Sequence, residues 1–320
     1  MSPMTSRSAP PSKPSSGATV TGVAYIGCSG WHYQSWKGLI YPAELPAAQW
    51  LHAYTRWFQS VELNNSFYRL PSEETFAGWR RQVPRGFVFA VKASRFLTHI
   101  KRLREPDEPL DRLFRHAAPL GPTLGPVLYQ IPPRWFPDPD RLETFLAALP
   151  QRLTPASRRP LRHVLEVREP RGYEPWVIDL LRRYGVALCV HDMPGSESPL
   201  LTVGPIVYVR FHGYGRKYGG SYPDEVLDEW ATWIRGALAT GRDAYVYFNN
   251  DINGYAVYDA ERLRLRVEQA EGLGGRQPRT KPQPLQNVPA YPDYPARHGR
   301  RLRRPVERAS RSAEPTEETN

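Results

Sequence analysis

The chain contains two cysteines and three methionines in 320 residues. Cys28 and Cys189 each fall inside an apolar, strand-like run, VAYIGC and VALCVHD. Two isolated thiols of that kind exclude a disulfide framework and predict small buried hydrophobes kept reduced. No run of about 18 apolar residues occurs, which excludes a membrane-spanning helix. The opening MSPMTSRSAPPSKPSSGATV lacks the apolar segment of a secretory signal, so the expected address is cytoplasmic. HExxH and CxxC are absent, and no GxGxxG follows the first strand-like run.

The net charge of +11 suggests a nucleic-acid partner until it is divided along the chain. Residues 1–22 hold two basic and no acidic side chains, and residues 273–320 hold ten basic and five acidic, which leaves a surplus of four between 23 and 272. The same two ends carry 12 of the 34 prolines, and RHGRRLRRP has no apolar periodicity. Three regions are therefore expected: a disordered extension over 1–22, one folded domain over 23–272, and a basic, Pro/Arg-rich disordered tail over 273–320. Such a tail binds nucleic acid or an anionic surface by counterion release, or serves only to keep the chain soluble.

Between the ends, eight short apolar runs recur: VAYIGC (23–28), SVELNN (60–65), FVFAVK (87–92), PVLYQI (126–131), HVLEVR (163–168), VALCVHD (186–192), IVYVRFH (206–212) and AYVYFNN (244–250). Five of the gaps and the stretch after the eighth run carry amphipathic patterns of helical length, among them SEETFAGWRRQV and PDEVLDEWATWIRGAL; MPGSESPLLTVGP, between the sixth and seventh runs, is too short for a full helix. Alternating strands and helices predict an α/β chain with a parallel sheet, and eight units in about 250 residues predict a closed (β/α)8 barrel, with an open doubly wound sheet as the rival.

Polar residues gather where these strands end: Ser29, Glu62, Asn64, Lys92, Gln130, Glu166, Arg168, His191, Asp192, Arg210, His212, Asn249, Asn250 and Asp251. Charge is expensive inside a parallel barrel unless it is paired or solvated, and active sites of this architecture lie at the C-terminal ends of the strands. Residues two apart share a face, which pairs Glu62 with Asn64, Glu166 with Arg168, Arg210 with His212, and Asn249 with Asp251. A structural alternative is that Glu62, Lys92, Glu166 and Arg168 only neutralise one another.

The motifs IGCSGWHYQSWKGLIYP, VELNNSFYRLPS, FAVKASRFLTHIKRL, YQIPPRW, LEVRE, VRFHG and YFNND..GYAV, in this order over roughly 23–270, resemble the domain of unknown function 72 (YecE-like) family. The resemblance implies a TIM barrel without a settled activity. Carried over residue by residue, it marks Gly27, Ser29, Gly30, Trp31, Glu62, Asn64, Tyr68, Lys92, Thr98, His99, Gln130, Glu166, Arg168, Asp192, Arg210, His212, Gly213, Asn249, Asn250 and Ala256. His191 is not part of that pattern and is expected to be a locally satisfied histidine.

Lys92, Arg168 and Arg210 at one mouth predict an anionic ligand, since guanidinium grips phosphate or carboxylate in a fork. Glu62, Glu166 and His212 are the acid/base candidates. Ser29, Trp31, Asn64, Tyr68, His99, Gln130, Asp192, Asn249 and Asn250 complete the expected ligand wall. A divalent metal on Glu62, Glu166, Asp192 and His212 has no motif behind it, so no cofactor is assigned. Trp31, Tyr33, Trp36, Tyr68, Tyr214, Tyr218 and Tyr222 fall in loops past the strand ends, where rings stack on sugars or bases, whereas Trp50, Trp57, Trp230 and Trp233 are expected to pack helices. Two functions follow: a hydrolase or lyase acting on a phosphorylated sugar or nucleic-acid fragment, or a non-catalytic nucleic-acid-binding protein that uses the mouth and the basic tail.

Overall fold

A computed structural model describes residues 22–155, 157 and 159–269. Nearly all of both expected disordered ends lie outside the described residues. Eight strands follow in order: β1 Ala24–Cys28, β2 Ser60–Leu63, β3 Val88–Lys92, β4 Leu124–Gln130, β5 His163–Glu166, β6 Ala187–Asp192, β7 Val207–Phe211 and β8 Ala244–Phe248. They are rich in Val, Leu, Phe and Tyr, which suit a pleated surface covered on both sides. Each pairs in parallel with its sequence neighbours, and β1 closes on β8 with Ala24–Cys28 aligned residue for residue with Ala244–Phe248. That seam removes both sheet edges and decides for the closed barrel over the open sheet.

The helices are α1 Trp50–Tyr54, α2 Asn65–Tyr68, α3 Glu73–Gln82, α4 Asp107–Ala117, α5 Pro139–Ala147, α6 Pro175–Arg183, α7 Asp224–Leu238 and α8 Tyr255–Gln269. No helix joins β6 to β7, as the short connection predicts. The α4 helix is an addition to the six patterns in the sequence. Its Pro109 lies in the first turn, where a backbone N–H has no helical partner to lose. Side-chain caps start two others. Asp138 caps α5 by accepting from the Arg141 amide at 2.9 Å, with Pro139 at the first helical position, and Ser72 caps α3 by accepting from Thr75. No helix among the described residues is long and apolar enough to cross a membrane.

Two apolar layers result. The outer one lies between sheet and helices and joins Ile26, Val61, Phe89 and Val209 to Phe76, Phe145, Trp50 and Trp230. The inner one fills the barrel with Val88, Ala90, Leu128, Val164, Cys189, Tyr208, Tyr245 and Tyr247. Cys28 belongs to the outer layer and Cys189 to the inner; both are buried and free.

Candidate active site

Alternation along each strand, carried around the barrel by the register, decides which polar residues face inward. Tyr208 is level with Cys189 and Tyr245, Arg210 with His191 and Tyr247, Gln130 with Glu166, Lys92 with Leu128, and Glu62 with Ala90. The inward face thus passes from the apolar inner layer to Glu62, Lys92, Gln130, Glu166, His191 and Arg210. Asn64, Arg168, His212 and Asn249, each two residues beyond an inward position, rim the opening.

Arg210 is the centre of this layer, buried between two carboxylates. It donates from Nε and Nη2 to Glu62, at 3.0 and 2.9 Å, and from Nη1 to Glu166 Oε2 at 2.7 Å. Glu62 also accepts from Ser29 Oγ at 2.8 Å and from the Tyr208 hydroxyl at 2.7 Å. Glu166 Oε1 accepts from Arg168 Nε at 2.7 Å and from Arg168 Nη2. Burial by itself would raise the Glu166 carboxyl, but Arg168 and Arg210 outweigh it and hold the group well below the usual carboxylate range. Burial opposes the Arg210 charge, and Glu62 and Glu166 more than compensate. Two positive and two negative groups therefore cancel, as the structural alternative anticipates for part of this set.

Lys92 stands outside that cancellation. Its Nζ sits 4.1 Å from the centre of the Phe67 ring, and the ammonium makes no hydrogen bond or ion pair within the described residues. Burial, and then the neighbouring Arg210, lower its pKa to about 8. It faces a cavity of about 350 Å³ at the barrel mouth, which Gln130, Arg168, Arg210, His212, Asn249 and Asp251 also line. Tyr33, Asn64, Tyr68, Tyr218 and Ile252 form the cavity's upper wall.

His212 is buried, and burial followed by Arg210 holds its pKa well below the ordinary histidine value, so the ring is neutral at pH 7. Arg168 Nη2 lies 3.2 Å from His212 Nε2. A guanidinium only donates, so Nε2 accepts and the proton sits on Nδ1. Nδ1 lies 3.3 Å from the Asn249 amide. Asn249 therefore presents its carbonyl oxygen there, an orientation that interchanges the amide oxygen and nitrogen. Arg168 directs its Nη1 to the Met193 thioether at 2.9 Å, a weak acceptor. Asp251 accepts from Trp36 Nε1 at 2.6 Å, yet burial raises its carboxyl to about 6.

Five expected ligand residues lie outside the mouth cavity, Ser29 among them with its hydroxyl on Glu62. Trp31 packs edge-on against Trp79 of α3 and against Phe89, over the outer layer. His99 meets Thr98 Oγ1 at 2.9 Å and packs on Phe67, the ring beneath Lys92. Asp192 is level with Phe211, a residue of the outer layer. Asn250 is turned to α8, donating to Asp259 at 2.7 Å and to the Gly220 carbonyl. One residue along, His191 and Asn249 take the inward positions. His191 is neutral, its pKa lowered to about 4 chiefly by burial, with Nε2 3.3 Å from Ser196 Oγ and Nδ1 without a hydrogen-bond partner among the described residues. Trp36 and Tyr222, expected in the rim, are core rings. Tyr208 and Met193 are network members absent from the sequence expectation. Tyr208 was detectable, for in VYVRF it lies two before Arg210; Met193 had no such signal.

The donor set does not fit a metal ion. The oxygens of Glu62 and Glu166 and the Nε2 of His212 are engaged by arginine or hydroxyl donors, and Asp192 is on the other face. Among the described residues no group of three potential ligands converges elsewhere.

A family model described as a protein of unknown function, DUF72, matches residues 25–284, a span that includes every mouth residue described above. The chain belongs to the DUF72 family. This DUF72 chain is 27% identical over 285 residues to the UPF0759 protein YunF of Bacillus subtilis, covering 79% of this chain and 98% of that protein. It is 31% identical over 127 residues to the UPF0759 protein YecE of Escherichia coli, covering 39% of this chain and 44% of that protein. A DUF72 family protein from Thermotoga maritima superposes with a TM-score of 0.68 at 26% identity, over 77% of this chain and 99% of the other. One from Enterococcus faecalis shares the fold at 17% identity, with a TM-score of 0.62 over 77% and 95% of the two chains. None of these names states an activity, so the DUF72 mouth must be understood from its own geometry.

Proposed function

We propose that this DUF72 barrel is an enzyme, a hydrolase or lyase, that takes a small anionic ligand such as a phosphorylated sugar or nucleic-acid fragment into its mouth. The observation that carries this is Lys92, the cavity-facing cation left over once two arginines and two glutamates have neutralised one another. Arg168 joins it, because a phosphate oxygen outcompetes the Met193 thioether for Nη1. An anion that draws this guanidinium away frees the Nε2 lone pair of neutral His212 beside the ligand, while Asn249 keeps the proton on Nδ1. His212 is then the proton acceptor. Gln130 and Asn64 orient ligand hydroxyls. Glu62 and Glu166, whose oxygens are occupied, act by positioning Arg210 and Arg168.

The test is a thermal-shift titration with sulfate, inorganic phosphate and ribose 5-phosphate, since a ligand of the native state raises Tm by mass action. Lys92→Met should abolish the shift. His212→Asn should keep it and, on any sugar phosphate that turns over, lower kcat by about 10²–10⁴-fold. An equal shift with Lys92→Met would remove the anion from the mouth.

One observation favours the second function. The rim exposes the Tyr68 and Tyr218 rings, 73% and 49% accessible, beside exposed Arg69, Arg216 and Lys217, an arrangement that suits stacking and phosphate contact with a single strand.

A further inference from the structure

A second cavity, of about 440 Å³, opens beside the mouth. Trp31, Leu51, Leu63 and Trp79 line it, with the exposed Ala47 and Ala48 at its border, and it shares Tyr33 and Asn64 with the mouth cavity. The proton transfer proposed above uses none of this space.

Its walls are apolar and held in place. Trp31 and Trp79 meet edge to face at 5.2 Å. The Tyr33 hydroxyl donates to the Ser29 carbonyl at 2.7 Å, and its ring packs on Trp36 at 4.8 Å. Gly30, at φ +120°, lets that ring lie against the backbone, because a Cβ there would stand 3.0 Å from the Tyr33 hydroxyl oxygen. Walls already fixed before a ligand arrives lower the entropy lost on binding.

The boundary between the two cavities is polar and unsatisfied. The Asn64 amide makes no hydrogen bond within the described residues, and its Oδ1 is a buried acceptor without a donor. A purely apolar occupant would leave it so, and a simple sugar phosphate would leave the aromatic walls bare. A planar heteroaromatic ring bearing an N–H or amino group meets both needs.

We propose that the mouth ligand is bipartite: its heteroaromatic part fills the side cavity and donates to Asn64, and its phosphate-bearing part reaches Lys92. The ligand class is then a nucleoside monophosphate or a molecule of like construction. This rests on the assignment of an anion to the mouth and narrows it.

Calorimetric titration of the full chain with AMP, GMP, CMP and UMP, each against its nucleoside and against ribose 5-phosphate, tests the proposal. At least one mononucleotide should bind about tenfold or more tighter than both of its halves. Ala48→Trp, at an exposed position that reaches into the side cavity, should bring that nucleotide to the level of ribose 5-phosphate and leave ribose 5-phosphate itself unchanged. Ala47→Trp repeats the block from the neighbouring residue, and an unchanged Tm shows that either variant is folded. Lys92→Met should bring the nucleotide to the level of its nucleoside. If every mononucleotide binds like ribose 5-phosphate, and Ala48→Trp changes nothing, the bipartite ligand is overturned and the anion site stands. If nucleosides bind as well as nucleotides, or no phosphate compound binds, the anion site falls and the proposal with it.

Discussion

At 1% exposure, Arg210 holds Glu62 and Glu166 together, and removing it leaves two buried carboxylates facing one another. Breaking a buried pair from one side costs about 3–5 kcal/mol, far more than the pair contributes when intact. Arg210→Met should lose stability on that scale in urea denaturation; a loss below about 1 kcal/mol would mean that water already screens the layer. The pH dependence should also weaken. In the parent protein the Glu166 carboxyl is held below its unfolded value of 4.5, so its contribution is present above that pH and fades as pH falls through the folded pKa. Arg210→Met removes one of the two guanidiniums that hold this carboxyl down and leaves Arg168, so the variant should lose less stability than the parent as pH falls. Lys92 and Asp251 govern binding instead. Sulfate keeps its charge while burial sets Asp251 to titrate near 6 and Lys92 near 8. Sulfate affinity should fall as pH rises through 6, where Asp251 becomes negative, and again through 8, where Lys92 loses its charge. A calorimetric profile flat across 8 would exclude Lys92 as the anion's partner.

Among the elements, the loop from β7 to α7 shows how backbone shape serves the mouth. Gly213 has φ +107°, and a Cβ there would lie 2.3 Å from the carbonyl oxygens of Arg216 and Gly219. Only glycine lets the loop fold back so that the Tyr218 amide reaches the His212 carbonyl, at 2.6 Å. Gly213→Ala should cost about 1–3 kcal/mol in denaturation and weaken sulfate binding, because Tyr218 and His212 must both shift. Unchanged binding would separate the loop from the site. The loop after β3 hides its shape better. It runs through a π-helical turn over Phe96–Ile100 and then left-handed Arg102, Leu103 and Glu105, none of them glycine. The helix α4 that follows is masked by Pro109. Strands were easier to find than these loops, since a two-residue period over a doubly buried sheet leaves a continuous apolar run. A tight turn built from ordinary residues leaves no compositional trace.

Across the whole molecule, the distribution of charge separates two modes of anion binding. The described barrel has little surplus charge, and the run Arg297–Pro305 holds five of the ten basic residues beyond 272. If the tail gives nucleic-acid affinity, deleting 273–320 should weaken salt-sensitive oligonucleotide binding by about tenfold or more and leave sulfate binding at Lys92 intact. Oligonucleotide binding that survives the deletion and disappears with Lys92→Met would transfer recognition to the mouth.

The sequence by itself determined the parallel α/β repeat, the count of eight strands and the concentration of ionisable side chains at their C-terminal ends, because these follow from periodicity and from the cost of burying charge. Seven ordered motifs also carried the family. Only the tertiary structure decided the β1–β8 seam, which is a pairing of the first strand with the last. It also decided that Asn249 faces inward and Asn250 outward, and likewise His191 and Asp192, because adjacent residues in a strand point to opposite faces and composition cannot say which. It decided that Arg210 and Arg168 are neutralised by Glu62 and Glu166 while Lys92 is not, since charges from β2, β5 and β7 meet only when the barrel closes.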